Sequence, residues 1–212
     1  MVHVSGWVSG NDLVKNDLII EQYLHTSYTM KIALIGKKHV GKSALAEVLC
    51  NEHSFEEYAI AQPIKDIGRV LGFKEHELYK HKTRANKDLG ICAREFCQVF
   101  GTEFGRKFTS FFPESGIENI WIHLLCNRLR DSSDLIVSDI RYQDELDLFR
   151  KHAPDGIVFK IERPSIVSTD KYSTHCSETQ IDSLIADYTL YNTGSIQDLY
   201  NTVLEALDEL TQ

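Results

Sequence analysis

From residue 31 onward, short runs of apolar residues alternate along the chain with amphipathic stretches. This alternation is typical of βαβ units around a mostly parallel sheet. The apolar runs predict five strands, at Lys31–Ile35, Tyr58–Ala61, Leu135–Ser138, Ile157–Ile161 and Tyr188–Tyr191. We therefore expect one compact α/β domain.

The amphipathic stretches between the apolar runs predict the helices. They cover residues 42–51, 93–112, 117–130, 142–152 and 196–210. Pro63 fits the first turn of a further helix after the second strand, because proline lacks the N–H that this turn leaves unused. Ser195 is expected to cap the amino end of the last helix.

Two segments depart from the pattern. Residues 1–29 are polar and weakly periodic, so they form either an amino-terminal extension on a self-sufficient domain or a helix around 12–24 packed on its core. Residues 164–180 are rich in Ser and Thr without an apolar period, which predicts a loop. We expect the domain itself to span residues 30–212.

Composition and charge argue against some classes of function. The chain has 212 residues, and 23 Lys and Arg stand against 31 Asp and Glu, giving a net charge of −8. This balance argues against binding to duplex nucleic acid, which requires a basic face, but permits a small anion in a local cationic pocket.

The five cysteines form no Cys-x-x-Cys pair, which favours free thiols over a zinc site. Without a bilayer-length apolar run or a signal-peptide pattern, we expect a cytoplasmic protein with no membrane partner.

A glycine-rich motif follows the first strand. Residues 36–43, Gly-Lys-Lys-His-Val-Gly-Lys-Ser, fit the pattern G-x-x-x-x-G-K-[ST] and open a predicted helix. Such a loop points backbone amides at phosphate oxygens, and the helix adds its positive end. Lys42 would meet the β- and γ-phosphates of ATP, and Ser43 would offer its hydroxyl to Mg²⁺. The predicted ATP-binding residues here are Gly36, Lys37, Val40, Gly41, Lys42, Ser43 and Ala44. The alternative is an ordinary strand–turn–helix corner.

Five arginines fall at turns or at the ends of predicted elements. They are Arg84, Arg94, Arg106, Arg141 and Arg163. Two phosphorylated substrates facing each other would explain such a set in an acidic protein, since guanidinium groups bind phosphate bidentately. Individually, each arginine is equally compatible with a surface position or an ion pair.

Two further side chains are candidates for the same site. Asp139 ends the third strand, where an acid can hold Mg²⁺ or its waters, bind a substrate hydroxyl or base, or cap the following helix. Trp121 follows a glycine-containing turn, and its indole either stacks on a base or packs in the core, the commoner fate of an indole.

The segment Ala93–Arg106 resembles the R-E-x-x-Q-x-x-G-T-E-x-x-R element of viral deoxynucleoside monophosphate kinases. This family of tailed phages and large DNA viruses belongs with the adenylate-kinase-like P-loop kinases, which include the animal phosphomevalonate kinases. Four more features agree in order and spacing: the glycine-rich loop, A-x-P-I-K at 61–65, S-D-I-R at 138–141 and I-E-R…H-C-S-E over 161–178. The resemblance covers residues 30–210.

The resemblance implies a three-layer fold with a five-stranded parallel sheet, an acceptor-binding helical region at about 63–130 and a lid at about 163–180. It implies transfer of the ATP γ-phosphoryl group to a deoxynucleoside monophosphate, with Mg²⁺ held by Ser43 and by Asp139 through water. Asn192 would lie near adenine. The implied catalytic residues are Lys42, Arg106, Asp139, Arg141 and Arg163. The implied acceptor-binding residues are Lys65, Arg94, Gln98, Arg106 and Asp139. The arguments from the sequence given above add Arg84 and Trp121 to this set.

One position departs from the family pattern. After S-D-I-R the family shows an aromatic residue, Pro, Asn and Glu, whereas this chain has Tyr-Gln-Asp-Glu, so that Asp144 replaces an amide. An acceptor contact at that position is therefore not carried over. A homodimer is the default expectation for the assembly.

Two other functions stay open on the sequence. One is a kinase for another phosphorylated acceptor, such as a ribonucleotide or a phosphomevalonate-like acid. The other is a nucleotide-sensing P-loop module without turnover. No N-K-x-D guanine motif occurs, which argues against a GTPase switch.

Overall fold

A computed structural model describes residues 30–165 and 180–209. The predicted extension at 1–29 and most of the predicted lid lie outside the described residues. None of the described helices is long and apolar enough to cross a membrane.

Five parallel strands form one sheet, in the order β2-β3-β1-β4-β5. They are β1 (Lys31–Ile35), β2 (Glu56–Tyr58), β3 (Leu135–Ile140), β4 (Ile157–Glu162) and β5 (Tyr188–Tyr191). The predicted sheet is confirmed, but β2 ends at Tyr58 rather than at residue 61. The strand stops because the amides of Ile60 and Ala61 donate to the Asp139 carboxylate.

The helices lie close to their predicted positions. They are α1 (Lys42–His53), α2 (Gln62–Val70), α3 (Glu75–Tyr79), α4 (Ala93–Val99), α5 (Phe108–Phe111), α6 (Ile120–Asp131), α7 (Gln143–His152) and α8 (Ile196–Glu209). The Ser195 hydroxyl accepts a hydrogen bond from the Asp198 amide (3.2 Å), so the predicted cap is confirmed. The short helix α3 has no counterpart among the predictions.

The predicted continuous helix over 93–112 is interrupted. A π-helical turn covers Phe100–Phe104 and a 3₁₀ turn covers Gly105–Lys107. The carbonyl of Gly101 accepts the amide of Gly105 and also a 2.7 Å hydrogen bond from the indole of Trp121, whose ring packs directly against Gly105. A non-local contact therefore sets this break, and the local periodicity does not reveal it.

Helices cover both faces of the sheet. On one face, Ile32 and Leu34 of β1 pack with residues of α1 and α8. On the other, Ala33 and Ile35 pack with residues of α2, α6 and α7. Alternate side chains of one strand thus enter two separate cores, which gives the expected three-layer architecture.

The strand order places a crevice at the carboxyl edge of the sheet. The central strand β1 lies between β3 and β4, and the connection after β1 leads to β2 on one side of the sheet whereas the connection after β3 leads to β4 on the other. In open α/β sheets, ligands bind at this switch point, beyond the strand ends. The glycine-rich loop follows β1, and Asp139 and Arg141 lie at the end of β3. The fold therefore brings these motifs to one edge.

Candidate active site

The backbone conformation of the glycine-rich loop requires a glycine at position 41. Gly41 has a φ of +114°, and a Cβ added there would lie 2.7 Å from the Nδ2 atom of Asn192. A side chain at this position would therefore be strained and would also collide. Behind the loop, buried Asn192 donates a 2.8 Å hydrogen bond from Nδ2 to the carbonyl of Val40.

Lys42 begins α1 and is only 7% exposed. Its Nζ atom donates to the carbonyls of Gly36 (2.5 Å) and Lys37 (2.8 Å). These bonds hold the ammonium group inside the curl of the loop, beside exposed Ser43. The loop therefore presents a cation, a hydroxyl and a helix amino end at one point.

A cavity of about 980 Å³ extends from this loop toward α2 and α4. Its volume is at the upper end of the range for ligand sites, and is large for a single small substrate. The predicted residues in its wall are Gly41, Lys42, Ser43, Ala44, Lys65, Arg94, Gln98, Arg106, Trp121, Asp139 and Arg141. The structure thus brings most of the sequence candidates to one cavity.

Six predicted residues do not line the cavity. They are Gly36, Lys37, Val40, Arg84, Arg163 and Asn192. Lys37 instead forms a 2.9 Å salt bridge with Asp182, and the amide side chain of Asn192 supports the loop from behind. Arg84 is exposed, and Arg163 directly follows β4 at the same sheet edge.

Asp139 has a different partner from those expected. Its Oδ1 accepts from the amide of Ile60 (2.6 Å) and its Oδ2 from the amide of Ala61 (3.2 Å). It therefore anchors the turn before α2 and does not cap the helix that follows β3. Across the described ranges, no group of three or more His, Cys, Asp or Glu residues could hold a metal ion.

Arg106 is enclosed by acidic and aromatic groups. Its guanidinium donates to Asp144 (2.8 Å) and to Glu145, and it lies 3.3 Å from the centre of the Tyr142 ring. The residue predicted as a phosphate-binding cation is thus already engaged by two acidic side chains. Asp144, the departure from the family pattern, supplies one of them.

Glu145 lines the cavity, although the sequence pattern does not predict it as a site residue. Its Oε2 accepts from the amides of Arg141 (2.8 Å) and Tyr142 (3.2 Å). Burial raises the pKa of this carboxyl to about 8, while Arg106 and the Arg141 amide oppose the rise. The sequence does contain a signal for this role, because Glu145 lies three residues after a helix cap, which is the spacing of a capping box.

Four cations gather in the wall of the cavity. They are Lys65, Lys82, Arg94 and Arg141, which we call the cation cluster. Burial and the other three charges lower the pKa of Lys82 to about 8. Lys82 was not among the sequence candidates, because it lies in a loop whose side-chain directions follow no period.

Trp121 is part of the cavity wall and of the core. It is 4% exposed, and its indole donates to the carbonyl of Gly101 (2.7 Å). A Cβ added at Gly105 would lie 2.0 Å from its ring. Of the two alternatives for this indole, the structure supports core packing.

The sequence model of the deoxynucleotide monophosphate kinases matches residues 68–203, which is more than half of the chain. The chain belongs to the deoxynucleotide monophosphate kinase family. This match includes the cation cluster except Lys65, together with Arg106, Asp139 and Glu145. No curated protein sequence matches the chain.

Solved structures similar to this member of the family include several small-molecule kinases. Shikimate kinase from Aquifex aeolicus vf5 matches with a TM-score of 0.50 and 13% identity, over 86% of this chain and 98% of that one. Shikimate kinase from Acinetobacter baumannii, in complex with shikimate, gives 0.47 and 14%, over 88% and 97%. A gluconokinase from Sinorhizobium meliloti 1021 gives 0.46 and 12%, over 86% and 94%.

The first of these likenesses shows a P-loop kinase fold. The family match makes the chain a phosphotransferase that acts on a nucleotide or another small molecule.

Proposed function

We propose that this kinase transfers the γ-phosphoryl group of ATP to the 5′-phosphate of a deoxynucleoside monophosphate. The observation that carries the proposal is the single cavity that joins the glycine-rich loop to the cation cluster. A triphosphate on Lys42 and Ser43 and a monophosphate on the cluster would face each other across it. The family match supports a deoxynucleotide as the acceptor.

The chemistry requires positioning more than proton transfer. An oxygen of the acceptor phosphate forms a bond to the γ-phosphorus, the bond to the β-bridging oxygen breaks, and ADP leaves with that electron pair. The attacking oxygen is already anionic, so no strong base is needed. Lys42 would exchange the carbonyls of Gly36 and Lys37 for phosphate oxygens, and Arg141 would neutralise charge between the two substrates. We assign Arg163, at the end of β4, to the donor phosphates.

The residues present fit a magnesium ion held mostly by phosphate and water. Ser43 offers a hydroxyl in the cavity wall. Each oxygen of Asp139 accepts one amide hydrogen bond and keeps a lone pair for a water of the ion. Oxygen donors and retained water are what Mg²⁺ prefers. When bound, Mg²⁺ supplies positive charge to the β- and γ-phosphates.

A panel of acceptors tests the proposal. The purified chain, with ATP and Mg²⁺, meets each deoxynucleoside monophosphate, each ribonucleoside monophosphate, phosphomevalonate and shikimate, and products are separated by chromatography. We expect ADP and a deoxynucleoside diphosphate from at least one deoxynucleotide.

Two variants test whether the product depends on the glycine-rich loop. Lys42→Ala should abolish the product, whereas Lys87→Ala, an exposed lysine outside the cavity wall, should retain it. Product from the other acceptors alone, or from none, would refute a deoxynucleotide acceptor.

A further inference from the structure

Two basic residues of the loop between α3 and α4 have opposite surroundings. Lys82 lies in the cavity wall together with Thr83, whereas Arg84 is exposed and outside it. The carbonyl of Lys82 accepts a 2.8 Å hydrogen bond from the amide of Arg94, at the start of α4. This bond fixes the backbone of Lys82 beside the cation cluster.

The loop is held in place by the buried side chain of Asn86. Its Nδ2 atom donates to Glu77 (3.0 Å), and its Oδ1 atom accepts from the amides of Asp88 (2.9 Å) and Leu89 (3.1 Å). Asn86 is 4% exposed, so these bonds are shielded from water. The loop therefore has a defined position that directs Lys82 inward and Arg84 outward.

Lys82 faces other cations from each element around it. Lys65 comes from α2, Arg94 from α4 and Arg141 from the end of β3, with the Cys97 thiol of α4 nearby. Within residues 30–165 and 180–209, neither Lys82 nor Lys65 forms a salt bridge with a carboxylate. Half-buried cations that lie close together disfavour one another's charged forms, unless an anion binds between them. The low pKa of Lys82, about 8, agrees with this arrangement.

We infer that Lys82 is a specificity residue that binds the phosphate dianion of the acceptor, and that Arg84 takes no part. The inference rests on the proposed function for the identity of the acceptor. Its ligand chemistry, a phosphomonoester dianion, follows from the cluster of cations in the cavity wall. Lys82 would thereby separate monophosphates from unphosphorylated nucleosides.

The kinetic test compares two neighbouring loop residues. Lys82→Met should raise the acceptor KM about tenfold or more, because a charge-assisted contact to phosphate is lost, and should change the ATP KM less than about twofold. Arg84→Met, the matched control, should leave both constants at their wild-type values. Circular dichroism verifies that each variant is folded.

A pH profile separates a direct contact from a structural role. With the pKa of Lys82 near 8, the wild-type acceptor KM should rise above about pH 8 as the ammonium loses its proton. Lys82→Arg keeps its charge, so its acceptor KM should stay flat to about pH 9.5. An unchanged acceptor KM in Lys82→Met, or the same pH profile in Lys82→Arg as in wild type, would overturn the inference.

Binding of inorganic phosphate separates this inference from the proposed function. The protein is first saturated with a non-hydrolysable ATP analogue, which fills the glycine-rich loop, and phosphate is then titrated by calorimetry. We expect Lys82→Met to weaken phosphate binding about tenfold and Arg84→Met to leave it unchanged. That result without turnover of any deoxynucleotide would refute the proposed function alone, whereas turnover with unchanged phosphate binding would refute the role of Lys82.

Discussion

The carboxylate of Asp139 accepts a 2.6 Å hydrogen bond from the backbone amide of Ile60. Its other oxygen accepts from the next amide along, that of Ala61 (3.2 Å). These bonds join the end of β3, beside the glycine-rich loop, to the turn that begins α2 and leads to Lys65. Asp139 therefore connects the cavity wall beside the glycine-rich loop with the wall that α2 forms.

Removal of this carboxylate should affect both stability and turnover. Asp139→Ala leaves two amides without their acceptor, which should lower the free energy of unfolding by about 1–3 kcal/mol. The turnover number should also fall, because the turn before α2 is released. Urea unfolding and steady-state kinetics measure the two effects. Asp131→Ala, at the exposed end of α6, is the control and should stay within about 0.5 kcal/mol of wild type. Equal losses in both variants would contradict the anchoring role.

Arg106 should stabilise the protein in a pH-dependent way. Burial raises the pKa of Glu145 to about 8, and Arg106 is the main influence that lowers it. Because the folded-state pKa is raised above the ordinary 4.5, the protein loses stability as pH rises from about 4.5 to about 8, where the loss is complete. Arg106→Met removes the counter-charge and raises this pKa further.

The stability deficit of Arg106→Met should therefore grow between about pH 8 and pH 9, where Glu145 ionises in the wild type but stays protonated in the variant, by up to about 1.4 kcal/mol. Denaturant unfolding across this range measures the deficit. Arg130→Met, at an exposed position of α6, should show no such trend. A deficit that does not change with pH would contradict the pairing of Arg106 with an ionised Glu145.

Lys82→Met should make the fold more stable while it weakens acceptor binding. The pKa of Lys82 falls from an ordinary 10.5 to about 8 in the folded protein, so the charged form opposes folding. This cost is absent above about pH 10.5 and complete below about pH 8. At pH 7 the variant should gain about 1–3 kcal/mol, and the gain should shrink toward pH 10.5. Thermal unfolding of wild type and variant at pH 7, 9 and 10.5 measures it, and a loss of stability at pH 7 would contradict a strained cation cluster.

Gly105 should not tolerate a methyl group. An added Cβ would lie 2.0 Å from the Trp121 ring, which is itself tied to Gly101 by its indole. Gly105→Ala should therefore cost about 3 kcal/mol or more of unfolding free energy through overpacking. Gly90→Ala is a matched control, because its added Cβ meets nothing within 4 Å and only its φ of +71° is strained. Similar losses in the two variants would contradict close packing on Trp121.

The sequence predicts those parts of the site that depend on local pattern. The glycine-rich loop and its position after β1 follow from spacing and from the apolar run before it, and the structure places Lys42 and Ser43 accordingly. The end of β2 and the break after Val99 depend on contacts with Asp139 and Trp121, which are distant in the chain. Local periodicity contains no information about such contacts.

The same limit applies to loop side chains. The sequence predicts Arg84 and not Lys82 as a site residue, whereas Lys82 lines the cavity and Arg84 does not. A loop has no period from which inward and outward directions can be read. The direction here is set by buried Asn86 and its bond to Glu77, which only the folded structure reveals.

The central claim is that one cavity holds ATP and a deoxynucleoside monophosphate with their phosphates facing each other. The most direct test is calorimetric binding of a bisubstrate analogue in which adenosine and a deoxynucleoside are joined through five phosphates. We predict one molecule bound per chain, at least about a hundredfold more tightly than ATP, since both ends bind at once. An analogue that binds no more tightly than ATP would contradict the claim.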